Sequence, residues 1–271
     1  MRDALYDKIP YRLPELKHHY GPNVHLVGTP YLLSLLSTLC AKDTLQPQVN
    51  RLVATLYSDL ITMVVNQEFP RTSVAVPTRM IEHTPKGIYQ GEVIDPDVRA
   101  ISVNIARAGT LPSQVTYDLL NTLLNPRLVR QDHIIMSRML DNADQVVGST
   151  IGGSKIGGDV DDALVLFPDP MGATGGSLST AISLYKHKVP GKMRKVICAH
   201  LIVTPEYLRR IQKDHPDVQV YALRLDRGMS PPEVFGTEPG LKWEQERGLD
   251  ERQYIVPGGG GMGEVMNNAW V

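Results

Sequence analysis

A wholly apolar segment that leads into a glycine-rich loop and then into a helix constrains this chain more than any other feature. The three segments are residues 163–167 (ALVLF), 169–177 (DPMGATGGS) and 178–186. Their lengths and composition predict a buried strand, a loop and a helix. In open α/β sheets, ligands bind beyond the carboxyl ends of the strands, which is where this loop must lie. The unit therefore predicts a ligand site at that edge of a sheet.

The residue types of this loop suit a phosphate group. Thr174, Gly175, Gly176 and Ser177 fall where the helix is expected to start. Unpaired backbone amides and the helix dipole favour an anion there, glycines permit its close approach, and two hydroxyls add donors. Asp169, at the strand end, is an acceptor suited to ribose hydroxyls. The same residues also fit a capped helix after a buried strand, so both interpretations remain open at this point.

Strands that alternate with helices along the chain predict an α/β fold with a parallel sheet and right-handed crossovers. Besides residues 163–167, the expected strands are residues 100–105, a short one at 133–137, 195–203 and 218–225. Besides residues 178–186, the expected helices are an amphipathic one at 45–68, one that begins at Pro112-Ser113 and one that Thr204-Pro205-Glu206 opens. We expect the whole chain, residues 1–271, to form a single domain.

Four segments are expected to lie outside this regular alternation. Residues 1–30 read as an irregular arm with one strand, and residues 73–91 as a β-hairpin. Residues 148–158 (GSTIGGSKIGG) contain too much glycine to pack, which predicts a mobile surface loop. Residues 228–253 are polar and rich in proline and glycine, so we expect an insertion that leaves the sheet.

Composition narrows the classes of partner. The formal net charge is −1, which provides no electrostatic reason to expect a nucleic acid or an anionic membrane as partner. Cys40 and Cys198 both stand among apolar residues, which favours buried free thiols and a reducing compartment over a disulfide. No apolar run is long enough to cross a bilayer. We therefore expect a cytoplasmic protein with a small-molecule ligand.

Other chemical patterns are weaker. Residues 258–263 (GGGGMG) look like a dinucleotide fingerprint, but no βαβ unit can follow them so near the C-terminus. The histidines have no spacing typical of a metal site. Asp159, Asp161 and Asp162 precede the apolar strand at its amino end, which favours a solvated turn over an acid/base pair.

Several motifs in chain order carry a resemblance to a known family. The loop at residues 169–177 is similar to D-P-M-L-A-T-G-G-S, and a lysine, Lys155, precedes it at the family's distance. The other matching segments are 29–44 (TP, then LCAKDT), 104–109 (NIARAG), 215–218 (HPDV) and 254–258 (YIVPG). Over about residues 24–264 the chain thus resembles the uracil phosphoribosyltransferases.

This resemblance implies a fold and a reaction. The fold is the type I phosphoribosyltransferase fold, a parallel α/β core with a small β-rich hood made from the N-terminal hairpin and the YIVPG segment. The reaction transfers phosphoribose from phosphoribosyl diphosphate (PRPP) to N1 of uracil, giving UMP and diphosphate in pyrimidine salvage. The resemblance also implies Mg²⁺ held largely by substrate, and a homodimer or higher homo-oligomer.

The resemblance assigns roles to individual residues as well. It implies that Arg107 and Asp169 are catalytic, Arg107 by neutralising the departing diphosphate. The implied PRPP-binding residues are Arg107, Arg138, Asp169, Pro170, Met171, Gly172, Ala173, Thr174, Gly175, Gly176, Ser177 and Gly261. The implied uracil-binding residues are Tyr254, Ile255, Gly260, Gly261 and Met262.

The chain departs from the family pattern at several of these positions. The family continues YIVPG with L-G-D-A-G-D, whereas residues 259–264 read GGGMGE, so Gly261 replaces an aspartate that contacts PRPP and Glu264 replaces the second aspartate. Cys40-Ala41 replaces an arginine-aspartate pair, and Gly172 replaces leucine. Loss of one charged contact costs about 2–4 kcal/mol in a transition state.

These departures leave three hypotheses. The chain is an active uracil phosphoribosyltransferase, or a catalytically impaired relative that binds PRPP or a nucleotide as a sensor or scaffold. A phosphoribosyltransferase for another base is the third, since glycines widen the loop after Tyr254.

Overall fold

The computed structural model describes residues 10–140 and 146–270, except for the side chains of residues 137–149. The strands in these residues are β1 (Val24–Leu26), β2 (Arg71–Pro77), β3 (Ile88–Ile94), β4 (Ala100–Ala106), β5 (Val129–Leu140), β6 (Val146–Lys155), β7 (Leu164–Pro168), β8 (Met171–Gly172), β9 (Lys195–Val203) and β10 (Gln219–Leu225). The α-helices are α1 (Pro30–Leu39), α2 (Gln48–Glu68), α3 (Thr110–Leu123), α4 (Gly176–His187), α5 (Pro205–Asp214), α6 (Pro232–Phe235) and α7 (Met262–Val265).

The main sheet has the strand order β1-β10-β9-β7-β4-β5-β6, and the short β8 also pairs with β9. All of these pairs are parallel except β5–β6, which is antiparallel. The carboxyl ends of β4, β7 and β10 therefore lie along one edge of the sheet. This arrangement confirms the predicted mainly parallel α/β sheet.

Strand β7 shows how both faces of the sheet are covered. Leu164 and Leu166 belong to an apolar cluster with residues of α1, α2 and α3, whereas Val165 and Phe167 belong to a second cluster with residues of α4 and α5. Successive side chains of a strand point to opposite faces, so the two clusters lie on either side of the sheet. This burial explains why the segment reads as an uninterrupted apolar run.

Most predicted elements are present, with shifted ends. Helix α2 begins at Gln48, after Pro47, and α4 begins at Gly176 and so includes the end of the glycine-rich loop. The predicted hairpin is the antiparallel pair β2–β3, a separate two-stranded sheet. The strand expected at residues 133–137 is longer, because β5 runs for 12 residues.

The prediction of a mobile loop at residues 148–158 is wrong for most of that segment. Residues 146–155 form β6, which pairs along β5 from His133↔Lys155 to Leu140↔Val146. Backbone hydrogen bonds do not depend on side chains, so glycine lowers strand propensity without preventing pairing. Ile151 of β6 and Ile156, just after the strand, pack against the core.

Two elements near the N-terminus add to the predicted architecture. The expected strand of the arm, β1, extends the sheet by pairing in parallel with β10. Helix α1 was not predicted, although Thr29 accepts a hydrogen bond from the Leu32 amide and Pro30 occupies the first turn. A threonine followed by proline is a typical helix start.

The segment at residues 228–253 is joined to residues near the N-terminus by a buried carboxylate. Glu246 is completely buried, and its Oε1 accepts hydrogen bonds from Arg227 Nη1 and from the Gly240 amide, both at 2.8 Å. Its Oε2 accepts a hydrogen bond from the hydroxyl of Tyr20, which packs edge-on against Trp243. This segment therefore forms an ordered part of the protein at the end of β10.

None of the helices in residues 10–140 and 146–270 combines the length and apolar character that crossing a bilayer requires. Both cysteines are free; Cys198 is buried as predicted, whereas Cys40 is only partly buried.

Glu246→Ala is expected to lower the free energy of unfolding by about 3–5 kcal/mol, because it leaves the mostly buried guanidinium of Arg227 without a counter-charge. Urea denaturation followed by circular dichroism measures this loss. The matched control is Glu238→Ala in the same segment, which removes an exposed carboxylate paired with Lys17 and His19 and should leave stability nearly unchanged. Equal losses in the two variants would contradict the role given to Glu246.

Candidate functional site

The phosphate loop, residues 169–177, joins the carboxyl end of β7 to the start of α4. Gly175 is the N-cap of α4 and has a φ of +76°, a conformation that glycine adopts without strain. It has no side chain to cap the helix, and the Gly176 amide lies 3.5 Å from Thr174 Oγ1, at the limit of a hydrogen bond. The first turn of α4 therefore presents amide donors at the positive end of the helix dipole.

Tyr207, on α5, supports the phosphate loop from behind. A Cβ atom at position 172 would lie 2.9 Å from Val203 Cγ1 and 3.0 Å from the ring of Tyr207, so a side chain at Gly172 has no room. A Cβ atom at Gly175 would also come within 3.4 Å of this ring. The departure at Gly172 is thus a packing exchange, in which side chains of β9 and α5 occupy the space.

Asp169 directly follows β7 and is partly buried. Burial raises the pKa of its carboxyl to about 6, although a hydrogen bond from the Met171 amide to Oδ1 acts in the opposite direction. Its carbonyl oxygen lies 2.6 Å from His200 Nδ1, which must therefore carry the proton, and Nε2 lies 2.6 Å from the Tyr207 hydroxyl. Burial lowers the pKa of His200 to about 4, so its imidazole is neutral at physiological pH.

Arg107 directly follows β4 at the same edge of the sheet, and the peptide bond between Ala106 and Arg107 is cis. Its Nη1 donates a hydrogen bond to the carbonyl oxygen of Ala269 at 3.1 Å, and its Nη2 lies 3.5 Å from Glu264 Oε1. The side chain is 40% exposed, so the guanidinium is open to solvent and to a ligand.

The C-terminal loop, residues 254–261, approaches from the end of β10. The Asp250 amide donates to the Tyr254 carbonyl oxygen, and the Tyr254 amide donates to Asp250 Oδ1. Ile255 forms a single antiparallel bridge with Leu249. Gly260 has a φ of +76° and open space around it. Met262, the first residue of α7, is buried in the core and anchors the far end of the loop.

The three segments meet at the carboxyl edge of the sheet. A Cβ atom at Gly259 would lie 3.4 Å from Met171 Cε of the phosphate loop and 2.9 Å from Cys40 Sγ. A Cβ atom at Gly263 would lie 3.9 Å from the Cβ atom of Arg107. The phosphate loop, the arginine after β4 and the C-terminal loop are therefore neighbours in one site.

The carboxylate of Glu264 fills the space beside Gly261. A Cβ atom added at position 261 would overlap Glu264 Oε2, while Oε1 of the same carboxylate faces Arg107. The side chain of Glu264 thus folds back over the position where the family pattern has an aspartate. A negative charge is present there although residue 261 is glycine.

The structure brings together most of the residues that the sequence pointed to. Arg107, the phosphate loop and residues 255–262 lie at one edge, whereas the side chain of Tyr254 is 47% exposed. Arg138 lies in β5, opposite Ser149, and its side chain is outside the part of the chain that the structure describes.

Several contributing residues were not found from the sequence. Tyr207 and His200 support the phosphate loop from the second face of the sheet, and Arg224 and Asp226 contact the C-terminal loop. Asp226 carried a usable signal, because an acid immediately after an apolar strand lies at the ligand edge. The other three had none, since their contacts depend on tertiary packing.

Comparison with known proteins gives consistent results. A family model described as uracil phosphoribosyltransferase matches residues 26–241. A uracil phosphoribosyltransferase from Variovorax paradoxus is 30% identical over 208 residues, covering 77% of this chain and 90% of the relative. Another from Dictyoglomus thermophilum is 30% identical over 241 residues, covering 89% of this chain and 97% of the relative.

A solved structure of a protein from Aquifex aeolicus is similar with a TM-score of 0.67 at 20% identity, covering 92% of this chain and 99% of that one. At this identity the likeness concerns the fold alone. Together with the sheet topology and the family match, it confirms the predicted fold class, an α/β core of the phosphoribosyltransferase type.

Gly175→Ala is expected to lower the free energy of unfolding by about 1–2 kcal/mol, because alanine is strained at a positive φ. The matched control is Gly176→Ala, where an added Cβ atom comes no closer than 3.8 Å to Thr174 Oγ1. Thermal denaturation of both variants makes the comparison. A loss confined to Gly176→Ala would contradict the described loop conformation.

Proposed function

The chain belongs to the uracil phosphoribosyltransferase family, and from this premise we propose that it transfers phosphoribose from PRPP to N1 of uracil, giving UMP and diphosphate. The observation that carries the proposal is the approach of Gly259 to Met171 and of Gly263 to Arg107, described above. A loop suited to a 5-phosphate, a cation suited to diphosphate and a loop suited to a flat base share one edge of the sheet.

The reaction places specific demands on these groups. The bond between C1 of the ribose and the diphosphate oxygen breaks, leaving an oxocarbenium-like sugar, and N1 of uracil forms the new bond to C1 and loses its proton. Arg107 neutralises the departing diphosphate, and the α4 amides hold the 5-phosphate. Asp169 accepts hydrogen bonds from ribose hydroxyls and keeps the sugar oriented.

Backbone groups of the C-terminal loop read the base. Uracil has one edge of alternating acceptors and donor, which the peptide groups at Ile255, Gly260 and Met262 are suited to pair with. A Cβ atom at Gly260 would meet no atom within 4 Å, so a flat ring has room on that side of the loop. This mode of recognition does not depend on the missing aspartate at Gly261.

Glu264 supplies the acid that Gly261 lacks. Its carboxylate already occupies the space beside position 261 and faces Arg107, which supports a role next to the diphosphate and sugar. The ion pair with Arg107 is partly exposed and is worth little, so diphosphate can displace it. The carboxylate that Glu264 places beside position 261 supports an active enzyme over a protein that only binds PRPP or a nucleotide.

Mg²⁺ completes the proposed site. The described residues hold no group of three or more His, Cys, Asp or Glu side chains arranged for a metal ion. An Mg²⁺ ion that entered with PRPP would lie near Asp169 and would be held largely by substrate and water. Such an ion would neutralise charge on the leaving group.

We also propose that the protein acts in the cytoplasm as a homodimer. Two free thiols support a reducing compartment. The β2–β3 hairpin and its connection carry exposed apolar side chains, which support a contact with a second copy; they are Val76, Met80, Ile81, Ile88 and Tyr89.

Incubation of the protein with PRPP, Mg²⁺ and a panel of labelled bases tests the proposed reaction. We expect UMP and diphosphate, and Arg107→Ala should lower kcat/KM about 10²–10³-fold. The matched control is Arg99→Ala, which removes an arginine at the opposite end of β4, where it pairs with Asp159. PRPP binding without any product would favour the sensor or scaffold, and product from another base would change the substrate.

The value of kcat/KM for PRPP should fall about tenfold per pH unit below pH 6. The pKa of Asp169 is raised to about 6, so its carboxylate is present above that pH and is lost as the pH falls through it. A pH–rate profile measures this limb, and Asp169→Asn should lose activity together with the limb. An unchanged profile in Asp169→Asn would contradict the assignment.

A further inference from the structure

Arg224 and Asp226 form a closely fitted ion pair at the end of β10. Arg224 Nε donates to Asp226 Oδ1 at 2.7 Å, and Nη2 donates to Oδ2 at 2.8 Å. The aspartate side chain is 2% exposed and the arginine side chain is 24% exposed. The Asp226 amide donates to the carbonyl oxygen of Val203 at 2.9 Å, so the pair stands on adjacent strand ends of the sheet. Two parallel hydrogen bonds give such a pair a defined geometry.

The pair also binds both backbone groups of one glycine in the C-terminal loop. The Gly258 amide donates to Asp226 Oδ2 at 2.8 Å, and Arg224 Nη2 donates to the Gly258 carbonyl oxygen at 3.1 Å. Gly258 has a φ of +60°, and a Cβ atom there would overlap the carbonyl oxygen of Ile255. The contact is therefore built for a glycine in this conformation.

Residues 258–261 are four consecutive glycines, which have no side chains with which to hold their own position. The run is fixed at its far end by the buried Met262. At its near end the Arg224–Asp226 pair holds Gly258 itself, and backbone hydrogen bonds to Gly228 and Gly248 hold Val256, two residues earlier. Between these anchors lies Gly259, packed against Met171 of the phosphate loop and against Cys40, whose Sγ is 4.0 Å from Arg224 Nη2.

We propose that Arg224 and Asp226 are positioning residues that hold the C-terminal loop at the distance from the phosphate loop at which base and phosphoribosyl group react. The inference rests on the proposed function and adds residues to it. Neither side chain touches the reacting atoms; both act through the main chain of Gly258. Their loss frees the glycine run and leaves the phosphate loop in place, so it weakens binding of the base selectively.

Steady-state kinetics of Arg224→Met provides the first test, since methionine keeps much of the apolar length of arginine without its charge. We expect KM for uracil to rise at least tenfold, while kcat and KM for PRPP change less than threefold. Arg224→Lys keeps the positive charge but cannot form a bidentate pair with Asp226, so its KM for uracil should lie between those of the wild type and Arg224→Met. The matched control is Arg194→Met, which removes another two-point arginine–aspartate pair, with Asp162, at the amino edge of the sheet.

Hydrogen–deuterium exchange provides a second test that does not need turnover. The Gly258 amide, which donates to Asp226, should exchange at least tenfold faster in Arg224→Met, while the amides of α4 remain as in the wild type. Absence of UMP formation by the wild type would overturn the proposed function, and the exchange rates would still decide the positioning role.

An equal rise of KM for both substrates would overturn the proposal, because it would indicate general destabilisation. Unchanged exchange of the Gly258 amide would overturn it as well. Should Arg224→Met fail to fold, Asp226→Asn carries both measurements with the same criteria. Asp226→Asn keeps an acceptor for the Gly258 amide and removes the charge that orients Arg224.

Discussion

Strand β7 lies in the middle of the sheet between β4 and β9, and its side chains pack into apolar clusters on both faces. Because β7 is buried on both faces, its carboxyl end, where the chain leaves the sheet at Asp169, has a fixed position. Because the neighbouring strands are parallel, Arg107 after β4 and Asp226 after β10 leave at the same edge. The positions of the phosphate loop, the arginine and the C-terminal loop all follow from the placement of this strand. Strand order determines where the site lies, and the residues just beyond each strand provide its charged and hydrogen-bonding groups.

The sequence predicted the core well where pattern and tertiary burial agree. The apolar run of β7 fits a buried strand and the helical spacing in α2 fits an amphipathic helix, so both elements were predicted correctly. The prediction of a mobile loop at residues 148–158 was wrong because β6 pairs with β5 through backbone groups, which composition does not reveal. The phosphate loop was found from its glycines, but the reason for Gly172 lies in the ring of Tyr207, which only packing shows. Support for the C-terminal loop by Arg224 is a contact between segments 34 residues apart and has no local signature.

Departures from the family pattern look different once the neighbours of each residue are known. Gly261 lacks a carboxylate, yet Glu264 places one in the same space and next to Arg107. Cys40 stands where the family has an arginine, and the guanidinium of Arg224 lies beside its sulfur. The segment at residues 228–253 packs against Tyr20 through the buried Glu246, beside the strand end that carries Asp226. Charge at the site is therefore redistributed among residues from different elements.

A crystal structure of the protein with bound UMP tests most directly whether the phosphate loop and the C-terminal loop form one site. The 5′-phosphate is expected on the amides of residues 174–177, and the uracil ring against the backbone of residues 255–262, with both loops contacting the same nucleotide. A phosphate bound elsewhere, or a base that does not reach the C-terminal loop, would contradict the shared site.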